Sequence, residues 1–152
     1  MKIVIVGCGR VGAALARRMV AEGHGVTVVD LNKNAFTRLG EDFTGHMLVG
    51  NGLEEGTLVR AGLDTADAFA SVTNGDNRNL MMAQVAREIF SVKRVITRLY
   101  DPIRAEVFRE LGLETFCTTT IGAGVIADFF TTGRNRGVEL SRELADLEAA
   151  RA

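Results

Sequence analysis

An α/β protein with a doubly wound, parallel six-stranded sheet and a C-terminal crossover helix is what this sequence predicts, on three observations. Short β-branched runs alternate with longer amphipathic stretches along the chain. Gly7, Gly9 and Gly12 stand in G-x-G-x-x-G spacing directly after the first run, within VIVGCGRVG, and Asp30 closes the second run eighteen residues after Gly12. The alternation calls for strands covered on both faces by connecting helices. The glycines and the acid make the sheet Rossmann-type, because a strand, a glycine turn, a helix and a later carboxylate form one βαβ unit.

The elements follow in order. KIVIV (2–6) is the first strand, and a helix after it sets Val11, Leu15 and Met19 on one face, closed by Gly23 and Gly25. VTVVD (26–30), HMLVG (46–50) and AFASVT (68–73) are the next three strands. A helix with Leu80, Val85 and Ile89 on one side leads to RVITRL (94–99), the fifth. Asp101 and Pro102 supply an N-cap and an N1 proline for a helix carrying Ile103, Val107 and Leu111, and ETFC (114–117) is the sixth strand.

Beyond it, TTTIGAGVIADFF changes character. Ile121, Val125, Ile126, Phe129 and Phe130 give a helix that is apolar over a wide arc, and Gly122, Gly124 and Ala127 admit another backbone at close range. Its partner is either the chain's own sheet or a second subunit. GRNRG (133–137) breaks the helical pattern, and Leu140, Leu144 and Leu147 then mark a short amphipathic helix suited to docking or linking. The expected organisation is a nucleotide-binding domain over 1–132 and a linker with that helix over 133–152.

The chain has 152 residues, enough for one domain with a real core and too few for two. Its 18 basic and 19 acidic side chains balance, so bulk charge calls for neither nucleic acid nor an anionic membrane. Cys8 and Cys117 stand apart from each other and from any ligand-spaced histidine, so neither a disulfide framework nor a zinc motif is supported. No apolar run is long enough to span a bilayer, and IVIV before the glycines is wrong for a signal peptide. A cytoplasmic protein without direct membrane insertion is the expectation.

In such a sheet the ligand lies beyond the carboxyl ends of the strands. Gly7 permits the tight turn, Gly9 lets the backbone approach a pyrophosphate, Gly12 lets the helix lie close on the strand, and Asp30 can accept hydrogen bonds from ribose hydroxyls while repelling a 2′-phosphate. Asn51 with Gly52, Thr73 with Asn74, and Arg98 stand at the ends of the third, fourth and fifth strands, and Arg10 inside the glycine motif adds a charged donor for phosphates. Each has a plain alternative: Asn51-Gly52 as a turn, Asn74-Gly75-Asp76 as a turn and helix cap, Arg98 as a solvated strand end.

Hydride chemistry would need an acid or base beside the nicotinamide. His24 and His46 fall at the wrong end of the sheet, and Tyr100 is followed by Arg104 where a Y-x-x-x-K pair would have lysine. Cys8 in the glycine motif is better read as a small space-filler than as a nucleophile. These residues describe a module that binds and reports without catalysing. The competing reading is the coenzyme domain of an NAD-dependent oxidoreductase whose catalytic part lies elsewhere, with a methyltransferase more distant.

From Met1 to about Phe130 the chain resembles the RCK (regulator of potassium conductance) family, also called the TrkA N-terminal domain, found in potassium uptake subunits and channels. VIVGCGRVG, VVDLN, VGNGLEEGTLVRAGLDTADAFASVTNGDNRNL, RVITRLYDP and RELGLETF carry the resemblance, the middle block most specifically. It implies that Gly7, Gly9, Arg10, Val11, Gly12, Asp30, Leu31, Asn51, Gly52, Thr73, Asn74 and Arg98 line an adenine nucleotide site for NAD(H) or ATP/ADP. It further implies a homodimer or octameric ring formed through the last apolar helix, beneath a membrane potassium channel or transporter subunit. Two departures stand out: position 51 is Asn where the family commonly has Asp, and the chain stops about where a second, ligand-sensing domain would begin.

Overall fold

In the computed structural model, which describes residues 1–149, the strands β1 (Lys2–Val6), β2 (Gly25–Asp30), β3 (His46–Val49), β4 (Ala68–Ser71), β5 (Arg94–Leu99) and β6 (Glu114–Cys117) form one sheet. Their order is β3-β2-β1-β4-β5-β6, every neighbouring pair parallel. The doubly wound six-stranded fold is therefore as expected. The switch point falls between β1 and β4, where the connections run off in opposite directions and leave a crevice at the carboxyl ends.

The helices are α1 (Arg10–Ala21), α2 (Glu55–Arg60), α3 (Asp76–Gln84), α4 (Pro102–Glu110), α5 (Thr118–Thr132) and α6 (Arg136–Ala149). Alternation along the strands divides the core into two layers. Ile3, Ile5, Val26, Val28, Ala70 and Val72 meet α1 and a 3-10 helix at Lys33–Leu39 on one face. Val4, Val6, Val29, Phe69, Val95 and Leu99 meet α2, α3 and α4 on the other. Small residues allow the helices to lie close: Ala13 and Ala16 on α1, Ala83 on α3 and Ala105 on α4 are all buried.

Several expectations shift. Gly23, with φ +80, ends α1 as the left-handed residue after the Glu22 cap, but Gly25 opens β2 instead of closing the helix. The third strand is a half-exposed edge, with Met47 and Val49 about half accessible, because only β2 flanks it. The face of Leu80, Val85 and Ile89 does not hold together: a π-helical turn at Val85–Ile89 resets the register after α3, so Ala86 is buried and Ile89 is 67 % exposed. On α4 the stripe of Ile103, Val107 and Leu111 faces outward, and Ala105 is the core residue. The Asp101 cap is in place, its Oδ1 accepting from the Ile103 and Arg104 amides at 2.9 and 3.2 Å, with Pro102 in the first turn.

In the single chain the C-terminal helix is not buried against the sheet. α5 starts directly after β6 and has no buried residue; it packs on α6, and an Arg136–Asp128 ion pair at 3.2 Å ties the two. Ile121, Ile126, Phe129 and Phe130 are exposed, Phe130 to 80 %. Gly133, with φ +71, terminates α5, and α6 carries Leu140 on its exposed side; the side chains of Leu144 and Leu147 lie outside the described residues.

Candidate functional site

The carboxyl ends of β1, β2, β4 and β5 enclose a cleft of about 640 Å³. β1 runs into Gly7, whose φ of +106 is open to glycine alone and whose place a side chain would fill against the backbone of Val72 and Thr73. Gly9 then caps α1 with extended backbone and no side chain to cap with, so the amides of the first turn keep no helical or side-chain partner and are available to an anion. Nothing lies within 4 Å of where a Gly9 Cβ would stand. Gly12 is buried behind the turn, where a Cβ would collide with the Gly7 carbonyl. The three glycines thus do three different things: turn, opening and close packing.

Asp30 closes β2 at the rim. Its Oδ2 accepts from the Cys8 amide at 2.7 Å and its Oδ1 from the Asn32 amide at 2.8 Å, so the carboxylate is fixed in place while each oxygen retains a lone pair for a ligand hydroxyl. The Cys8 thiol is fully buried against the Ala35 carbonyl, and burial, reinforced by the Asp30 charge and partly offset by Arg38, pushes it up to about 11. It stays protonated near neutrality and fills space, as expected.

Eleven of the twelve residues singled out from sequence line this cleft: Gly7, Gly9, Arg10, Val11, Asp30, Leu31, Asn51, Gly52, Thr73, Asn74 and Arg98. Gly12 does not, and acts from behind. Gly52 is held by packing, since a Cβ there would press on Val6 and Met82. Asn51 uses its Oδ1 in the turn, accepting from the Leu53 amide at 3.1 Å. Arg98 is no solvated strand end: its Nη2 donates to the Thr73 carbonyl at 2.6 Å, its guanidinium stands 4.6 Å from the centre of the Tyr100 ring, and its Nε is buried without a partner in the protein.

The cleft also contains residues that the sequence pattern does not single out, chiefly Arg38, Arg78, Tyr100 and Thr118. Arg78 carries a signal: with Arg10 it puts a cation in the first turn of a helix, which the helix dipole opposes unless an anion shares the space. Asp76, a helix cap by its sequence position, instead accepts from the Tyr100 amide at 3.0 Å and the Asp101 amide at 3.1 Å, bolting α3 to the end of β5. Four guanidinium groups, those of Arg10, Arg38, Arg78 and Arg98, face one carboxylate, Asp30, among the lining residues. That balance attracts a polyanion. His24 and His46 lie at the amino ends of the strands, and among the described residues no group of three or more His, Cys, Asp or Glu is placed to hold a metal.

A strand, a glycine turn, an uncapped helix start and a fixed carboxylate at the switch point define a Rossmann-type domain with its ligand crevice in the usual place. The TrkA-N domain family model matches residues 3–119, and the chain belongs to that family. It is similar to the Trk system potassium uptake protein TrkA of Streptomyces coelicolor, 50 % identical over 118 residues that cover 78 % of this chain and 53 % of that protein. The chain spans about half the length of that relative. Among solved structures it is similar to the Shewanella denitrificans Kef C-terminal domain in its AMP-bound form, with TM-score 0.72, 18 % identity and 99 % of both chains covered. It is also similar to GsuK bound to ADP, with TM-score 0.74, 20 % identity and coverage of 88 % of this chain and 34 % of that one. At these identities the structural likeness establishes the fold.

Proposed function

We propose that this chain is a cytoplasmic regulatory module of a potassium transport system, binding an adenine nucleotide, NAD(H) or ATP/ADP, without transforming it. The observation that carries the reading is the convergence of the glycine turn, Asp30 and four arginines on one cleft. The α1 amides and Arg10 receive phosphate oxygens, Asp30 receives ribose hydroxyls, and Arg98 and Arg78 bound the phosphate chain from the β4 and β5 side. Membership of the TrkA-N family, together with the names of relatives in potassium uptake and of neighbours holding AMP or ADP, supports it.

A second copy of the chain covers the apolar face of α5, and the homodimer or an octameric ring of such dimers meets a membrane channel or transporter subunit. No helix among the described residues is long and apolar enough to cross a membrane, and contact with the bilayer passes through that partner. A nucleotide moves the gate only by as much as it binds one dimer geometry more tightly than another. The test is a calorimetric panel of NADH, NAD, ATP and ADP on the wild type and on Asp30→Asn, which keeps an acceptor for the Cys8 amide. Binding of at least one nucleotide, weakened roughly tenfold or more in the variant, is expected. No binding of any of the four, or steady turnover of NADH, overturns the reading.

A further inference from the structure

β4 pairs with β5 up to Ser71 and Thr97, and beyond that point Thr73 has no strand partner for its backbone groups. Asn79 supplies one. It lies on α3, fully buried, and its Oδ1 accepts from the Thr73 amide at 2.9 Å and the Thr73 hydroxyl at 2.7 Å. Its Nδ2 donates to the Thr73 carbonyl and to the Arg98 carbonyl, both at 2.9 Å. Carbonyls only accept, so the orientation of the carboxamide is fixed and both of its amide hydrogens are used. The Ser71 hydroxyl donates to the Asn79 carbonyl oxygen at 2.8 Å and holds the helix residue itself in place.

The result is a side chain that continues the β4–β5 pairing into the wall of the cleft. Both residues it joins line that cleft, and the Thr73 carbonyl it grips is the one that anchors the Arg98 guanidinium, leaving the buried Arg98 Nε unpaired. A buried polar atom without a partner costs free energy that a ligand acceptor would recover. We propose that Asn79, which does not itself line the cleft, is a positioning residue for the nucleotide site: it fixes the Thr73 and Arg98 backbones so that Arg98 meets an anionic oxygen of the ligand in one orientation. This rests on the nucleotide-binding reading above.

A double-mutant cycle tests it, with ADP affinity read by calorimetry and stability by thermal unfolding. Asn79→Ser and Arg98→Ala are each expected to weaken ADP binding roughly tenfold, and the double variant to bind no more weakly than Arg98→Ala alone, because the effect of Asn79 passes through Arg98. Thr115→Val removes a buried hydrogen bond of the same kind, to the Ala105 carbonyl at 2.8 Å, away from the cleft. It is expected to lower the melting temperature and leave ADP affinity unchanged. Where Asn79→Ser does not fold, Ser71→Ala, which withdraws the support of the Asn79 carbonyl along with a buried bond to the Thr97 hydroxyl, carries the same cycle with a loss of roughly threefold. Additive losses, or a destabilised Asn79 variant that binds ADP like wild type, overturn the positioning role alone. A wild-type chain that binds none of the four nucleotides overturns the functional reading as well.

Discussion

In β1, β2 and β4, and at Leu99 of β5, the large apolar side chains find their cover within the chain, with Ile5, Val28, Val29, Phe69 and Leu99 all but inaccessible, whereas α5, a strongly apolar helix, buries none of its fifteen residues. The difference is one of destination. Strand residues are covered because right-handed connections bring α1 to α4 back over the sheet. α5 has no such return: it leaves β6 without an intervening residue and turns only at Gly133, onto α6. Its surface is spare in the isolated chain, which is why the same kind of residue stabilises the fold in one region and is available to a partner in the other.

The comparison is broken most severely from the body. Gly12→Val drives a Cβ into the Gly7 backbone carbonyl and is expected to cost about 3–5 kcal/mol, read as a lower midpoint in urea unfolding. A near-neutral result would show that the glycine turn has slack. Phe130→Ser tests the arm: at 80 % exposure it should leave the unfolding of the dilute monomer unchanged. Loss of Phe burial between copies, about 1.5–3 kcal/mol, should weaken dimerisation roughly tenfold or more by sedimentation equilibrium. A destabilised monomer would mean that α5 packs on its own sheet after all.

The smallest effect is one of pH. The Cys8 thiol holds its proton up to about 11 in the fold but only to about 9 when exposed in the unfolded chain. Between those values the unfolded state binds fewer protons, so stability present below pH 9 is lost as pH rises toward 11, on the order of 1–2 kcal/mol. Cys8→Ala should flatten that slope in urea titrations at stepped pH. An unchanged slope would assign the alkaline loss to other groups.

Much of the fold is legible in the amino-acid sequence, because strands, glycine turns and caps are written locally. KIVIV, the three glycines, Asp30 and the Asp101-Pro102 cap each announce themselves within a few residues. Helix faces are less legible. A constant 3.6-residue period places Ile89 inward, and the π turn breaks that period. Ile103, Val107 and Leu111 look like a core stripe, but α4 turns Ala105 and, in part, Phe108 toward the core instead. The cleft is only partly legible for a similar reason: Arg38, Tyr100 and Thr118 reach it from elements far apart in sequence, and Asn79 acts through side-chain bonds that no spacing advertises.

One junction has a mechanical meaning. The Tyr100 carbonyl accepts from the Thr119 hydroxyl at 2.8 Å and from the Cys117 thiol at 3.4 Å, while the Tyr100 ring sits beside Arg98 in the cleft. The root of α5 and the wall of the cleft therefore share a single peptide. A fifteen-residue helix is a rod about 22 Å long, and tilting it about 10° at that hinge would swing its tip about 4 Å. A shift of Tyr100, were it to tilt the helix, would be geared up along its length to the Phe129–Phe130 end.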